Sequence, residues 1–377
     1  VRIYADHAAT TPLRDEVRAA IEPFEQDRFG NPSEPHWAGR AARAGLDAAR
    51  RRVAELLGCA PAEVVFTGGG SEADNLAVLG RAVPAAGRAM ASPVEHPAVR
   101  EPLRRLAAGG TDIQWAPVDE DGVIDLDGWA GLVRPGDSLA AAIWGQNVTG
   151  VLQRVEDLAG VCAERGVPLH LDAVQAAPAF ALDLTRLPGQ VTVAVAGHKL
   201  GGPRGAGALA GRGVATLAPV LLGGGQERGL RPGTENVAAA AGLAAALELA
   251  PQDAPRVRAL RDEYESRLRT LDPLARILGA GADRLPGHSL ALLPGVRGDA
   301  MVDLLDEDGI AVAAGSACAS ADREPSHVLA AMGLDADEAG GALRVSLGAL
   351  TAEGHPAAIA EAVARAAAAL RAAAVPA

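Results

Sequence analysis

Short apolar runs alternate with helical stretches over the first two thirds of this chain, and that order restricts the fold more than any other feature. The runs are Val64–Phe66, Ala89–Ser92, Ile113–Ala116, Leu139–Trp144, Pro168–Asp172, Val191–Ala196 and Gly207–Ala210. Helical patterns separate most of them: Trp37 to Leu57 closed by Gly58, Glu72 onward, Pro97–Ala107 and Glu156–Arg165. A strand that passes through a helix before the next strand returns parallel to itself, so this order predicts a mostly parallel central sheet with helices on both faces, an α/β fold. Beyond a helix near Asn236–Leu249 the rhythm changes. A helix from about Pro255 to Leu271, strands near Leu290–Leu293, Ile310–Ala313 and Leu343–Ser346, and a final helix from about Pro356 to Ala373 predict a smaller α+β domain.

Composition narrows the class. A chain of 377 residues, 49% hydrophobic and 22% charged, has the length for two or three structural units and a sizeable core. Its longest apolar run in the alanine-rich middle, Val237 to Leu247, falls well short of the roughly 20 residues a membrane span needs. Asp6 and His7 come too early for the apolar core of a secretory signal. A net charge of −12 argues against general binding to nucleic acid or anionic membranes. Three scattered cysteines, Cys59, Cys162 and Cys318, supply neither a disulfide framework nor a metal knuckle. The expectation is a cytoplasmic enzyme with no metal site.

Among 35 basic residues only Lys199 is a lysine. Coding bias toward arginine accounts for the ratio but not for the survivor. Arginine keeps its proton, whereas lysine can lose one and form a Schiff base. Two further features accompany it. The segment Phe66-Thr67-Gly68-Gly69-Gly70-Ser71-Glu72-Ala73-Asp74 runs from a strand through a glycine turn into a helix, with Ser-x-x-Asp spacing suited to a cap from Ser71. The N–H groups at such a helix start form an anion site, though the pattern is neither a Walker loop nor a dinucleotide fingerprint. In Leu169-His170-Leu171-Asp172-Ala173-Val174-Gln175 an acid ends an apolar strand, the position where open α/β sheets bind ligands. A lysine for a Schiff base, an aspartate for a pyridinium nitrogen and a helix start for a phosphate are the parts that pyridoxal phosphate requires.

The chain resembles the cysteine desulfurases of the class V aminotransferase family over nearly its whole length. The resemblance is carried by Tyr4-Ala5-Asp6-His7-Ala8-Ala9-Thr10-Thr11-Pro12, Gly30-Asn31-Pro32-Ser33, Phe66 to Asn75, Glu95-His96, Thr149 to Gln153, His170 to Gln175 and Gly197-His198-Lys199. Further along it is carried by Arg231 to Asn236, Gly315 to Ser320, Glu324-Pro325-Ser326 and Leu343 to Gly348. It implies fold type I of the pyridoxal phosphate-dependent transferases, with residues 14–255 as the large cofactor-binding domain. Residues 1–13 and 256–377 would form the small domain with the cysteine loop.

The same resemblance assigns roles. Lys199 would hold pyridoxal 5′-phosphate and move the substrate Cα proton, Asp172 would keep the pyridine nitrogen protonated, and His96 would stack on the ring and help with proton transfer. Asn147 and Gln175 would bond its ring oxygen. Gly70, Ser71 and His198 would hold the phosphate, with Thr234 reaching it from the neighbouring subunit of a homodimer. Arg344, helped by Asn31, would clamp the substrate carboxylate. Cys318, among small and polar neighbours, would take sulfur from L-cysteine as a persulfide and deliver it to an acceptor protein such as an iron–sulfur scaffold or a thiolation enzyme. Cys59 and Cys162 would be inert. The chain departs from the pattern at Val148, where an acid is usual, at Ala196, where a phosphate-binding serine is common, at His7 in place of asparagine and at Arg204 in place of lysine. These departures bear on cofactor affinity and partner choice and point to a specialised member. Two other readings are a selenocysteine lyase or related family enzyme, which would release its product normally from a Cys318→Ala variant, and a noncatalytic sulfur-transfer assembly protein, which would lack the yellow cofactor.

Overall fold

The helix-and-strand order produces a large first sheet and a smaller second one joined by a shared apolar seam, with a two-stranded pair beside them. The computed structural model describes residues 2–81, 87–315 and 326–374. Strand β1 (Ile3–Tyr4) comes first. Then β2 (Val64–Thr67), β3 (Arg88–Ala91), β4 (Asp112–Trp115), β5 (Leu139–Ile143), β6 (Leu169–Asp172), β7 (Val191–Ala196) and β8 (Gly207–Ala210) form one sheet in the order β2-β8-β7-β6-β5-β3-β4. Only β8 runs against its neighbours, so six strands share one direction. The exception has a local cause. No crossover helix follows β7; the chain turns through a short 3-10 helix, Gly197–Lys199, and left-handed Gly201 and Gly205, and so returns beside the strand it has just left. Lys199 sits in that turn.

Strands β5, β6 and β7 are buried at every position, as expected of strands covered on both faces. The helix Trp37–Leu57 and the strands β7 and β8 have the predicted bounds.

The last third differs. After β9 (Arg276–Ile277) and β10 (His288–Leu292), the single strand expected over Ile310–Ala313 divides into β11 (Ile310–Ala311) and β12 (Ala313–Ala314). The first half pairs with β1 and the second with β13 (Ala342–Ser346), so one segment serves two sheets. Strands β12-β13-β10-β9 form an antiparallel sheet. Around it lies a core of its own, including Tyr264, Leu268, Met301 and Ile359. A smaller cluster joins Ile143 of β5 to Leu290 of β10 and Ala342 of β13. That seam brings the second sheet against the strand ends of the first. Among the described residues no helix is long and apolar enough to cross a membrane.

Candidate active site

At the end of β2 the backbone enters Gly68–Gly70 and the helix Gly70–Leu79. A Cβ on Gly70 would stand 2.5 Å from Val174 Cγ2, and one on Gly207 would stand 2.6 Å from the Gly69 backbone. Side chains are therefore excluded where the turn passes the neighbouring strand. The expected cap differs: the N-cap is Gly69, with no side-chain bond, and Ser71 lies exposed inside the first turn. The helix-start N–H groups stay free for an anion. Glu72 braces the turn, accepting from Gly68 N–H at 2.6 Å and from Arg231 at 2.9 Å.

The ends of the neighbouring strands converge on the same place. Gly70, Ser71, His96, Asn147, Asp172, Gln175, His198 and Lys199 line one cavity of about 540 Å³. Asp172, at the end of β6, accepts the Val174 N–H at 3.0 Å. Burial raises its pKa, while His96 and then Lys199 pull it back. Among the described residues no cation is ion-paired to it. His96 caps the helix Pro97–Ala108, its Nδ1 accepting the Ala98 N–H at 3.1 Å, so the ring proton resides on Nε2. Burial lowers its pKa, against the opposing pull of Asp172. Burial, and next the Arg344 charge, bring Lys199 down to about 8, against the opposing pull of Asp172 and Asp6. Its ammonium donates to the carbonyls of Ala8 and of Ala9, the latter at 2.9 Å. Gln175 donates to the Ala8 carbonyl at 2.8 Å. The His198 carbonyl accepts both the N–H and the hydroxyl of Thr11, and its ring stands 3.3 Å from the Thr10 hydroxyl.

Arg344 projects from β13 toward this cavity. One guanidinium nitrogen bonds Asp6 at 2.7 Å, another donates to the Asn147 carbonyl at 3.1 Å, and its Nε is buried without a partner among the described residues. Asn31 is not brought against it; the Asn31 side chain accepts the Ser33 N–H instead. Thr234 lies exposed in an adjoining groove with Phe66 and Arg231, outside the cavity of its own chain. Cys318 lies outside the described residues. Cys162 is buried and Cys59 partly so, and burial pushes both thiols up to about 12. Val148 packs in the apolar seam, Ala196 and Arg204 line the cavity, and His7 is buried beside Tyr4 with its pKa lowered by burial to about 4.

Sequence reasoning missed Asp6 and the Ala8 and Ala9 carbonyls as partners of the charged groups. Tyr4–Pro12 was legible as a motif, but its use as a strap over Lys199 was not.

The residues present suit a flat, phosphate-bearing cationic heterocycle. A glycine-walled helix start with His198 and Arg204 nearby offers an anion site, and a buried acid without a cation offers a partner for a protonated ring nitrogen. The fold and cavity suit an enzyme of the pyridoxal phosphate class. A family model described as aminotransferase class-V matches residues 3–354. A curated relative, the IscS-like cysteine desulfurase of Mycobacterium tuberculosis, is 40% identical over 364 residues, covering 92% of this chain and 91% of its own. A solved NifS-like protein superposes with a TM-score of 0.89 at 31% identity, covering 97% of this chain and 99% of its own. Another, SspA in complex with cysteine, gives 0.83 at 30% identity, covering 93% and 100%. The chain belongs to the class V aminotransferase family and, within it, to the cysteine desulfurases. Its cofactor is pyridoxal 5′-phosphate.

Proposed function

We propose that the protein converts L-cysteine to L-alanine and passes the sulfur, as a persulfide on Cys318, to an acceptor protein. The observation that carries this reading is the convergence of Lys199, Asp172 and His96 on one cavity, with the Arg344 guanidinium bonded to its wall at Asn147. When bound, pyridoxal phosphate supplies a sink for the electrons released at the substrate Cα. The chain's own groups do the rest. Gly70, Ser71 and His198 would hold the phosphate, and Asp172 would keep its carboxylate against the ring nitrogen. Asn147 and Gln175 would bond the ring oxygen, and His96 would stack on the ring. Arg344 exchanges Asp6 for the substrate carboxylate, which fixes the Cα–H bond toward Lys199. Lys199 Nζ, with its lowered proton affinity, takes that proton. The Cys318 thiolate attacks the substrate sulfur as the Cβ–S bond breaks, and protons return to the carbon product. One cysteine and one enzyme thiol thus become one alanine and one enzyme persulfide, with no external oxidant or reductant.

The same proposal includes a cytoplasmic homodimer in which Thr234 completes the partner's phosphate site, and a division at residues 13/14 and 255/256. The exposed apolar side chains Trp37, Leu221 and Leu222 and the exposed Thr234 support association. Assembly of iron–sulfur clusters is one use of this sulfur that the sequence resemblance implies.

A single turnover with L-cysteine and no reductant, followed by mass analysis of the Cys318 peptide, tests the reading. Alanine together with one added sulfur on that peptide is the expected result. Alanine with no added sulfur would overturn the persulfide step in favour of lyase chemistry.

A further inference from the structure

A hydrogen-bonded row that the mechanism above does not use runs from the cavity wall at Asp74 into the sheet. His170 is fully buried on β6, two residues before Asp172 and on the same face of the strand. Its Nε2 stands 3.1 Å from Asp74 Oδ1, and its Nδ1 stands 3.1 Å from Thr192 Oγ1 on β7. Asp74, 1% exposed, lies one turn into the helix whose start carries Gly70 and Ser71. The row therefore spans the three elements that place the anion cradle, Asp172 and Lys199.

We propose that Asp74 and His170 are positioning residues that form an uncharged clamp, the Asp74 O–H donating to Nε2 and the Nδ1–H to Thr192, so that no second carboxylate charge stands beside Asp172. The charges around the row favour this over an ion pair. Asp74 faces Asp172 and Glu95, both acids, and its carboxyl is pushed well above the usual range by burial and then by those two. His170 faces Arg81, and burial followed by that guanidinium brings it down to about 3, leaving the imidazole neutral. The remaining charged or titratable neighbours act on the other two acids: His96 and Lys199 on Asp172, Arg100 on Glu95. An imidazolium–carboxylate pair would put two charges into this dry layer beside a guanidinium, at a desolvation cost that a single hydrogen bond does not offset. A neutral clamp fixes the spacing between phosphate cradle and ring-nitrogen acid without competing for the ring's charge.

The inference rests on the cofactor-binding reading, but its test does not use turnover, so failure of the desulfurase step would leave it intact. Asp74→Asn and Asp74→Ala would be compared as holoenzymes by cofactor dissociation constant and by the pH midpoint of the bound cofactor's absorbance. Imidazole ¹⁵N spectra of the parent would be recorded alongside. An asparagine amide replaces the O–H donor, so Asp74→Asn should stay within about twofold in affinity and keep its midpoint. Asp74→Ala should weaken binding roughly tenfold and move the midpoint, a change that mere loss of folding stability would not produce. His170, assigned by its absence in His170→Asn, should be the Nδ1–H tautomer. An Asp74→Asn protein that loses affinity, or a His170 signal from an imidazolium, would overturn the proposal. So would an Asp74→Ala protein that binds like the parent. Should Asp74→Ala fail to fold, Asp74→Asn and the tautomer still decide.

Discussion

The two sheets contribute to the site in different ways. The seven-stranded sheet places its groups by strand ends: Asp172 closes β6, Lys199 lies in the turn after β7, Asn147 follows β5, and the glycine turn follows β2. Each side chain is held by a buried strand, so position is inherited from the sheet itself. The four-stranded sheet contributes one charged group, Arg344, on the middle of β13. That guanidinium is fixed by what it touches rather than by where its strand stops, namely Asp6 and the Asn147 carbonyl. The groups assigned to the cofactor are thus placed by topology, whereas the group assigned to the substrate is held by exchangeable bonds. A rigid reaction centre and an adjustable clamp have different needs, and the two sheets divide them.

The largest expected effect comes from the rigid side. Asp172→Asn keeps the shape and removes the carboxylate, so the ring loses its stabilised proton. Turnover with L-cysteine should fall roughly 100-fold or more, the scale of losing one preorganised electrostatic partner. The absorbance of the bound cofactor should change with it, and unaltered turnover would remove Asp172 from the role. On the adjustable side, Arg344→Lys retains charge but not the two-pronged geometry. KM for L-cysteine should rise about tenfold while kcat changes much less, read from initial rates of alanine formation. A drop in kcat alone would mean that Arg344 acts on the reaction centre, and the division between the sheets would fail.

Legibility in the sequence follows the same boundary. The buried strands β6 and β7 end in the residues that matter, and continuous apolar runs with an acid or a Gly-His-Lys turn at their ends are readable without coordinates. The cavity-lining set was therefore accessible from local pattern plus resemblance. Backbone acceptors were not. The Lys199–Ala8 contact joins positions 191 residues apart through a carbonyl that every residue possesses. The two-residue strands β1 and β9 carry no periodicity, and the helices Asp15–Gln26 and Gly298–Glu307 were not separately assigned. The splitting of Ile310–Ala313 depends on which partners lie on either side of Val312, which is tertiary information.

The smallest expected effect belongs to Glu95, at the junction of the two regions. Its backbone carbonyl bonds His327 at 2.9 Å, and its fully buried carboxyl accepts from Ser92 and, at 2.7 Å, from the Ile143 N–H. The second carboxyl oxygen is buried without a partner among the described residues. Burial pushes the folded-state pKa up to about 8 from an ordinary 4.5 despite those bonds. Between these values the native protein binds a proton that the unfolded chain does not, so this group's contribution to stability is complete below pH 4.5 and is lost as pH rises toward and through 8. His170, His288 and His7, lowered by burial to about 3, 3 and 4 from 6.5, act in the opposite sense and lose their contribution as pH falls below 6.5. Glu95→Gln mimics the protonated acid. Compared with the parent it should melt at nearly the same temperature at pH 5 and roughly 1–3 °C higher at pH 8.5 in scanning calorimetry. The difference isolates Glu95, because the histidines and the other buried acids are common to both proteins. A variant that melts lower than the parent at both pH values would mean that the seam holds a charged carboxylate, and that the junction is an electrostatic tie rather than an apolar contact.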